Sequence, residues 1–180
     1  KVGIGSIPPL GLSAVRFLTA GLLLQGVVRL RRRNDAAAPV PLRVGLAGVV
    51  TLGIGTGVVV WAQQWLPSGL TAVLTAATPF WMVLLEAAAP GGTRPTLRAL
   101  GGLGLGLVGI LVIAGQQPAG AFRTDYVWAV GTVLVAGVAW SAGSIFTRHQ
   151  KAQHDPLAVA SWQMIAAGLA LFAGSLAAGE

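Results

Sequence analysis

Polar side chains recur along one face of an apolar segment, "SGLTAVLTAATPFWMVLLE", at residues 68–86. Together with the apolar Met82 they follow one another at steps of three or four, as residues on one side of a helix do; the residues of this face are Ser68, Thr71, Thr75, Thr78, Met82 and Glu86. Hydroxyl groups in an apolar helix belong against protein or a water-filled cavity, so this face is suited to line a path for a polar solute. The alternative is that the threonines bond to their own helix and pack against neighbours.

Pro79 adds a backbone feature to the same face. It has no amide hydrogen to donate to the carbonyl of Thr75, and it therefore predicts a kink near the middle of the segment. Backbone groups freed at membrane depth are tolerated where they line a cavity. We therefore assign Thr71, Thr75, Thr78 and Pro79 to a predicted solute pathway.

Two further apolar segments carry polar or aromatic residues in similar stripes. The candidates are Thr56 and Gln64 in residues 44–64, and Trp140 and Ser144 in residues 126–147. For Gln64, which stands next to the loop, the alternative is a side chain solvated by water. The indole of Trp140 lies deep in its segment and needs a partner inside protein, which suits either an aromatic wall for a solute or core packing.

The elements that hold these residues follow from composition. The chain of 180 residues is 54% hydrophobic and 9% charged, whereas soluble domains carry about 25% charged residues. Its apolar residues form six blocks, each long enough to cross a hydrocarbon layer of ~30 Å as a helix; the blocks are 8–28, 44–64, 69–89, 97–115, 126–147 and 156–178. The predicted fold class is an all-α, polytopic membrane helix bundle.

Charge placement sets the predicted orientation. The net charge is +7, which in a soluble protein would suggest nucleic acid as a partner. Nine basic residues instead fall in the first, third and fifth loops, near 29–43, 90–98 and 148–155, and one falls in the second and fourth loops together. This distribution predicts that the odd loops are cytoplasmic and that no nucleic acid is bound.

One helical segment is repeated in the sequence. "PPLGLSAVRFLTAGLLL" at residues 8–24 is repeated by "DPLAVASWQMIAAGLAL" at residues 155–171, with identities at an offset of 147 residues. Five spans separate the two starts, so the second copy crosses the membrane in the opposite direction. Such an inverted duplication is typical of transporters that hold their solute between two halves.

Arg16 and Gln163 are counterparts in this repeat. Arg16 lies seven residues past Pro9, roughly 10 Å below the outer surface. It either snorkels to the interface or faces a cavity, where it would favour a carboxylate or another anion. Gln163 is neutral, so we expect the two halves to differ chemically.

Four segments resemble the EamA-type transporters of the drug/metabolite transporter superfamily. They are "IPPLGLSAVRFLTAGLLL", "LPSGLTAVLTAATPFW", "LGLGLVGILVIAG" and "VAWSAGSIFTRH". The resemblance implies two inverted five-helix repeats and ten spans, of which this chain holds spans two to seven. Residues 1–124 would be a first repeat lacking most of its first helix, and residues 125–180 would be the first two helices of the second. The resemblance also marks "AWSAGS" as a cavity-side segment; "APGGTRPTLR" lacks the Gly-Glu pair of many members.

The function so implied is export of amino acids, organic anions or drugs by alternating access across a bacterial inner membrane. A passive facilitator of the same solutes and a non-transporting structural or assembly subunit stay open as alternatives. The expected partners are a small-molecule substrate and the lipid bilayer, and a homodimer is left open.

Enzymatic and cofactor sites are not expected. "GLGLVG" at 104–109 lies inside an apolar span, where no strand precedes it as a dinucleotide site requires. His149 and His154 share one basic loop, and the chain has no cysteine. We therefore expect no catalytic residues, no metal site and no cofactor.

Overall fold

The computed structural model describes residues 8–31, 42–89, 92–115, 127–151 and 154–179, and all regular elements within those ranges are helical. In chain order they are α1 (Pro9–Arg31), α2 (Leu42–Gly48), a π-helical segment (Val49–Gly57), α3 (Val58–Ala62), α4 (Ser68–Thr75), α5 (Thr78–Ala88), α6 (Leu97–Gly115), α7 (Val127–Lys151) and α8 (Pro156–Ala177). The predicted all-helical, polytopic fold is confirmed.

Five stretches of the described residues are long and apolar enough to cross a membrane. They are Pro9–Arg31, Leu42–Ala62, Ser68–Ala88, Val127–Arg148 and Pro156–Ala177. The fourth predicted block forms α6, whose apolar part at Leu97–Gly109 is shorter. Each predicted block thus corresponds to helical structure, with ends that shift by a few residues.

Residues Leu42–Ala62 differ from a regular α-helix in the middle, where the π-helical segment Val49–Gly57 is inserted. The close packing of this segment against α7 explains its small residues. A Cβ built on Gly55 would lie 2.7 Å from the Cβ of Trp140, a distance that real side chains do not tolerate. Glycine therefore brings the two backbones together and sets Trp140 against this span.

The start of α8 is capped in an ordinary way. The Asp155 carboxylate accepts a hydrogen bond of 2.9 Å from the amide of Leu157, and Pro156 occupies the first position of α8. A side-chain cap followed by proline fixes the start of a helix because it satisfies one free amide and removes another.

The most extensive helix contact joins α1 to α8, the two copies of the repeated sequence. A Cβ on Gly21 would lie 2.9 Å from Cγ1 of Ile165, and one on Gly168 would lie 2.7 Å from Cγ of Leu18. Gly168 is the repeat counterpart of Gly21, and Ile165 is that of Leu18, at the same offset of 147. One contact is therefore made twice, as a two-fold relation between the helices requires.

The two copies also run in opposite directions. Gly11, near the start of α1, lies beside Ser175, near the end of α8. At the other end, the Ser161 hydroxyl donates a hydrogen bond of 2.6 Å to Oε1 of Gln25. This antiparallel pair has the geometry that an inverted duplication predicts; the domain division at residues 124 and 125 stays a prediction.

Candidate functional site

The predicted kink at Pro79 coincides with a two-residue turn, Ala76 and Ala77, that separates α4 from α5, although the backbone angles of both residues stay in the helical region. Proline leaves the carbonyl of Thr75 without its usual amide donor. The hydroxyl of Thr78 replaces that donor, with a hydrogen bond of 2.6 Å to the Thr75 oxygen. The side chain thus satisfies the backbone group that the proline frees, and the span becomes a discontinuous helix.

Four spans surround a cavity of about 480 Å³ beside this break, which we call the outer cavity. Its lining residues come from α1, from the π-helical segment with α3, from α4 with α5, and from α7; they are Arg16, Gly55, Thr56, Val59, Val60, Gln63, Thr75, Thr78, Pro79, Met82, Gly137 and Trp140. In a membrane, irregular backbone in the middle of a span is tolerated where it lines a partly polar cavity such as this one.

The charge in the outer cavity comes from Arg16. Its guanidinium carbon lies 4.9 Å from the centre of the Phe17 ring, and that ring is buried. The aromatic face stabilises the cation and helps to fix its position. Among the described residues that line the cavity there is no carboxylate, so Arg16 leaves the cavity with an excess of positive charge.

Six of the ten predicted pathway residues line the outer cavity together. They are Arg16, Thr56, Thr75, Thr78, Pro79 and Trp140. Their hydroxyls also bond within the helix: Thr75 donates to the Thr71 carbonyl at 2.9 Å. The two interpretations of the threonine face are therefore compatible, because a hydroxyl bonded to its own helix still faces the cavity.

Two predicted residues lie elsewhere. Thr71 is 2% exposed and donates to the Pro67 carbonyl at 3.2 Å, so it is part of the packed interior and does not line the outer cavity. Gln64 is exposed in the turn after α3, and its neighbour Gln63 lines the cavity in its place. The reason is that α3 ends at Ala62, two residues before the predicted end, so Gln64 lies in a turn and not on the face of the helix.

Ser144 and Gln163 line a smaller space of about 310 Å³, the middle cavity, formed between the π-helical segment, α7 and α8. Trp140 borders both the middle and the outer cavity. Nε2 of Gln163 donates to Oγ1 of Thr147 at 2.6 Å, and both residues are buried. Gln163, the counterpart of Arg16, therefore has an internal partner, whereas Arg16 faces the outer cavity.

A third space of about 540 Å³, the inner cavity, lies toward the end predicted to be cytoplasmic. Pro79 and Met82 border both it and the outer cavity. Glu86 forms an ion pair here with Arg148 of α7. The pair forms because α5 and α7 run side by side and bring Arg148 to the same depth as Glu86.

Arg148, Arg94 and Gln63 were not among the predicted pathway residues. Glu86 and Arg148 both stand near the ends of spans that run in the same direction, and that shared depth was a usable signal. No local pattern could show that these two spans are neighbours.

Three tryptophans cluster at the other end of the molecule. Trp61, Trp65 and Trp128 meet edge to face, with ring centres 4.5, 5.8 and 4.8 Å apart. Trp65 and Trp128 are also partly exposed. Such exposed indoles are typical of the membrane interface, where their amphipathic rings anchor helix ends.

Residues 1–115 match the EamA-like transporter family. The chain belongs to this family. The match covers the described helices α1 to α6, and it includes the broken span and Arg16. The resemblance inferred from the sequence is thus confirmed, and the chain is a multi-pass membrane protein.

Curated relatives extend the EamA likeness over the rest of the chain. The "Uncharacterized inner membrane transporter YedA" of Escherichia coli (strain K12) is 30% identical over 181 residues, which is 100% of this chain and 57% of that protein. The "Uncharacterized transporter YoaV" of Bacillus subtilis is 25% identical over 168 residues, 92% of this chain and 56% of that protein. The chain therefore spans somewhat more than half the length of these EamA relatives.

A solved crystal structure shares the fold. It superimposes with a TM-score of 0.75 and 24% identity over 96% of this chain and 60% of that chain. The helix arrangement described above, including the antiparallel α1–α8 pair of this EamA protein, thus has a counterpart in a solved structure.

Proposed function

We propose that the chain forms the solute-binding part of a bacterial inner-membrane carrier that exports small carboxylate-bearing metabolites by alternating access. The observation that carries this proposal is the outer cavity, in which Arg16 stands beside a discontinuous helix. A guanidinium binds a carboxylate through paired hydrogen bonds. Trp140 and Met82 supply apolar surface for the remainder of an amino acid or organic acid.

Family membership and the names of the relatives support transport, and the name of the Escherichia coli relative supports the inner membrane. A chemical reaction is not part of this proposal. The cavity would bind its solute and release it unchanged, exposed first to one side and then to the other. The antiparallel α1–α8 pair supports this cycle, because two inverted halves can exchange their conformations.

The test is counterflow in liposomes that contain the complete protein, with labelled amino acids and organic acids as solutes. We expect saturable exchange, and we expect Arg16→Gln to lower it about tenfold or more, since a hydrogen bond to a charged group contributes ~1.5–3 kcal/mol. Arg29→Gln is the matched control, because Arg29 is exposed on the same helix and lies outside the outer cavity.

Flux without counterflow would indicate a channel-like facilitator. No flux from folded protein across the whole panel would indicate a structural subunit. Either result would contradict the carrier, and equal exchange in wild type and Arg16→Gln would remove Arg16 from the pathway.

A further inference from the structure

The inner cavity is lined by charged side chains that have no role in the solute binding proposed for the outer cavity. Arg94, Arg148 and Glu86 all line it. Two guanidinium groups face one carboxylate, so one positive charge is in excess among the described residues of this cavity. A space of about 540 Å³ is large enough for a metabolite the size of an amino acid.

The ion pair of Glu86 with Arg148 joins the ends of α5 and α7. Nη2 of Arg148 donates to Oε2 of Glu86, and the two side chains are 60% and 23% exposed. An ion pair this exposed to solvent adds little to stability. Displacing Glu86 from Arg148 therefore costs little free energy, which leaves Arg148 open to a second carboxylate that enters the cavity.

The position of this pair links it to the proposed pathway. Pro79 and Met82 separate the inner cavity from the outer cavity and border both. Farther toward the outer end, α5 and α7 also touch where Ser141 lies 3.4 Å from the carbonyl of Thr78. The ion pair is thus the contact that closes the inner end of the cleft between these two helices.

On the basis of the proposed function, we propose that the inner cavity is a second anion site, at which a solute carboxylate exchanges with Glu86 for Arg148. Arg94 supplies the second cation. The exchange breaks the link between α5 and α7 and leaves Met82 and Pro79 as the remaining barrier to the outer cavity. Without solute, Glu86 occupies Arg148 and keeps the inner end closed.

The test is a binding titration on the complete protein in detergent at low salt, in an Arg16→Ala background that removes the cation of the outer cavity. The probes are N-acetyl-leucine and N-acetyl-leucinamide, which differ in their carboxylate alone. Glu86→Gln removes the internal competitor, and Arg148→Gln removes the proposed ligand. Arg98→Gln is the matched control, because Arg98 is an exposed cation on α6 that does not line the inner cavity.

We expect Glu86→Gln to bind N-acetyl-leucine about two- to fivefold more tightly, the factor that corresponds to an exposed ion pair. Arg148→Gln weakens the same binding, and Arg98→Gln leaves it unchanged. The amide binds equally to all variants, since it cannot replace a carboxylate. A purely structural ion pair would give the opposite sign, because breaking it would loosen the cavity and weaken binding of both probes.

Weaker or unchanged binding of N-acetyl-leucine to Glu86→Gln would overturn the second site. Counterflow by protein that retains Arg16 then separates the two proposals. If the protein shows saturable exchange and Glu86→Gln does not bind N-acetyl-leucine more tightly, the second anion site is overturned and the carrier is kept. Tighter binding to Glu86→Gln without any exchange keeps the anion site and contradicts the carrier.

Discussion

The α1–α8 pair and the α5–α7 pair are built in opposite ways. Between α1 and α8, glycines meet Leu18 and Ile165 so closely that a single added carbon would clash. Between α5 and α7, Gly137 also packs on Trp81, but cavities lie at both ends of the contact, and the buried indole nitrogen of Trp81 finds no hydrogen-bond partner among the described residues. Close-packed contacts resist change, whereas loosely packed ones rearrange at low cost.

In the proposed alternating-access cycle, α1 and α8 would move as one body, and the cleft between α5 and α7 would be where the conformation changes. Substitutions that add volume should therefore act mainly on stability in the first pair. Substitutions that change the backbone break should act mainly on transport rate in the second.

The largest effect is expected for Gly21→Leu. Its side chain would collide with Ile165 and with the backbone of α8, and overpacking of this kind costs about 1–3 kcal/mol. Gly168→Leu should cost as much, because it makes the same contact from the other helix. The measurement is the free energy of unfolding in detergent.

Gly26→Leu is the control for both substitutions, since nothing lies within 4 Å of a Cβ at that position on the same helix. Equal free energies of unfolding for the Gly21→Leu and Gly26→Leu variants would contradict the close packing of α1 on α8.

Much of the difference between the α1–α8 pair and the α5–α7 pair could be predicted from the sequence. Block lengths, Pro79 and the offset of 147 predicted the spans, the kink and the antiparallel copies, because a membrane imposes helix length and proline removes a backbone donor. Thr71 shares a face of α4 with Thr75 but lies one turn farther from the cavity, where it is buried, and helical periodicity predicts a face without saying where along it the cavity ends. The partner of Glu86 depends on which spans are neighbours, and periodicity within one span carries no such information.

Pro79→Ala should have the next largest effect, and on rate more than on stability. Alanine restores an amide that can bond to the Thr75 carbonyl, so α4 and α5 can join into one helix. We expect saturable exchange to slow about tenfold, which corresponds to ~1.4 kcal/mol in the barrier. Counterflow in liposomes measures it, and wild-type rates with unchanged stability would remove the break from the transport cycle.

Thr78→Val tests whether the hydroxyl compensates for the proline, because it removes the group that bonds to the freed Thr75 carbonyl. An unpaired carbonyl at this position should cost about 1 kcal/mol of unfolding free energy. In the Pro79→Ala background the cost should fall below about half of that, since the new amide supplies the missing donor; a double-mutant cycle measures the difference.

Thr132→Val is the matched control for that cycle. The Thr132 hydroxyl bonds to the Trp128 carbonyl at 2.8 Å within an unbroken part of α7. That carbonyl keeps its amide donor when the hydroxyl is lost, so the substitution should be nearly neutral. Equal losses for Thr78→Val with and without Pro79 would show that the hydroxyl does not compensate for the proline.

The smallest effect is expected where the two-fold relation of α1 and α8 is imperfect. Ser161 bonds to Gln25 at one end of the pair, but the repeat counterparts of these residues are Ala14 and Phe172, which cannot form such a bond. Ser161→Ala should therefore cost only about 0.6 kcal/mol, a usual value for a hydrogen bond between membrane helices. Ser68→Ala, an exposed serine outside the pair, is the control. A loss of several kcal/mol would mean that this polar contact, and not the glycine packing, holds the two copies together.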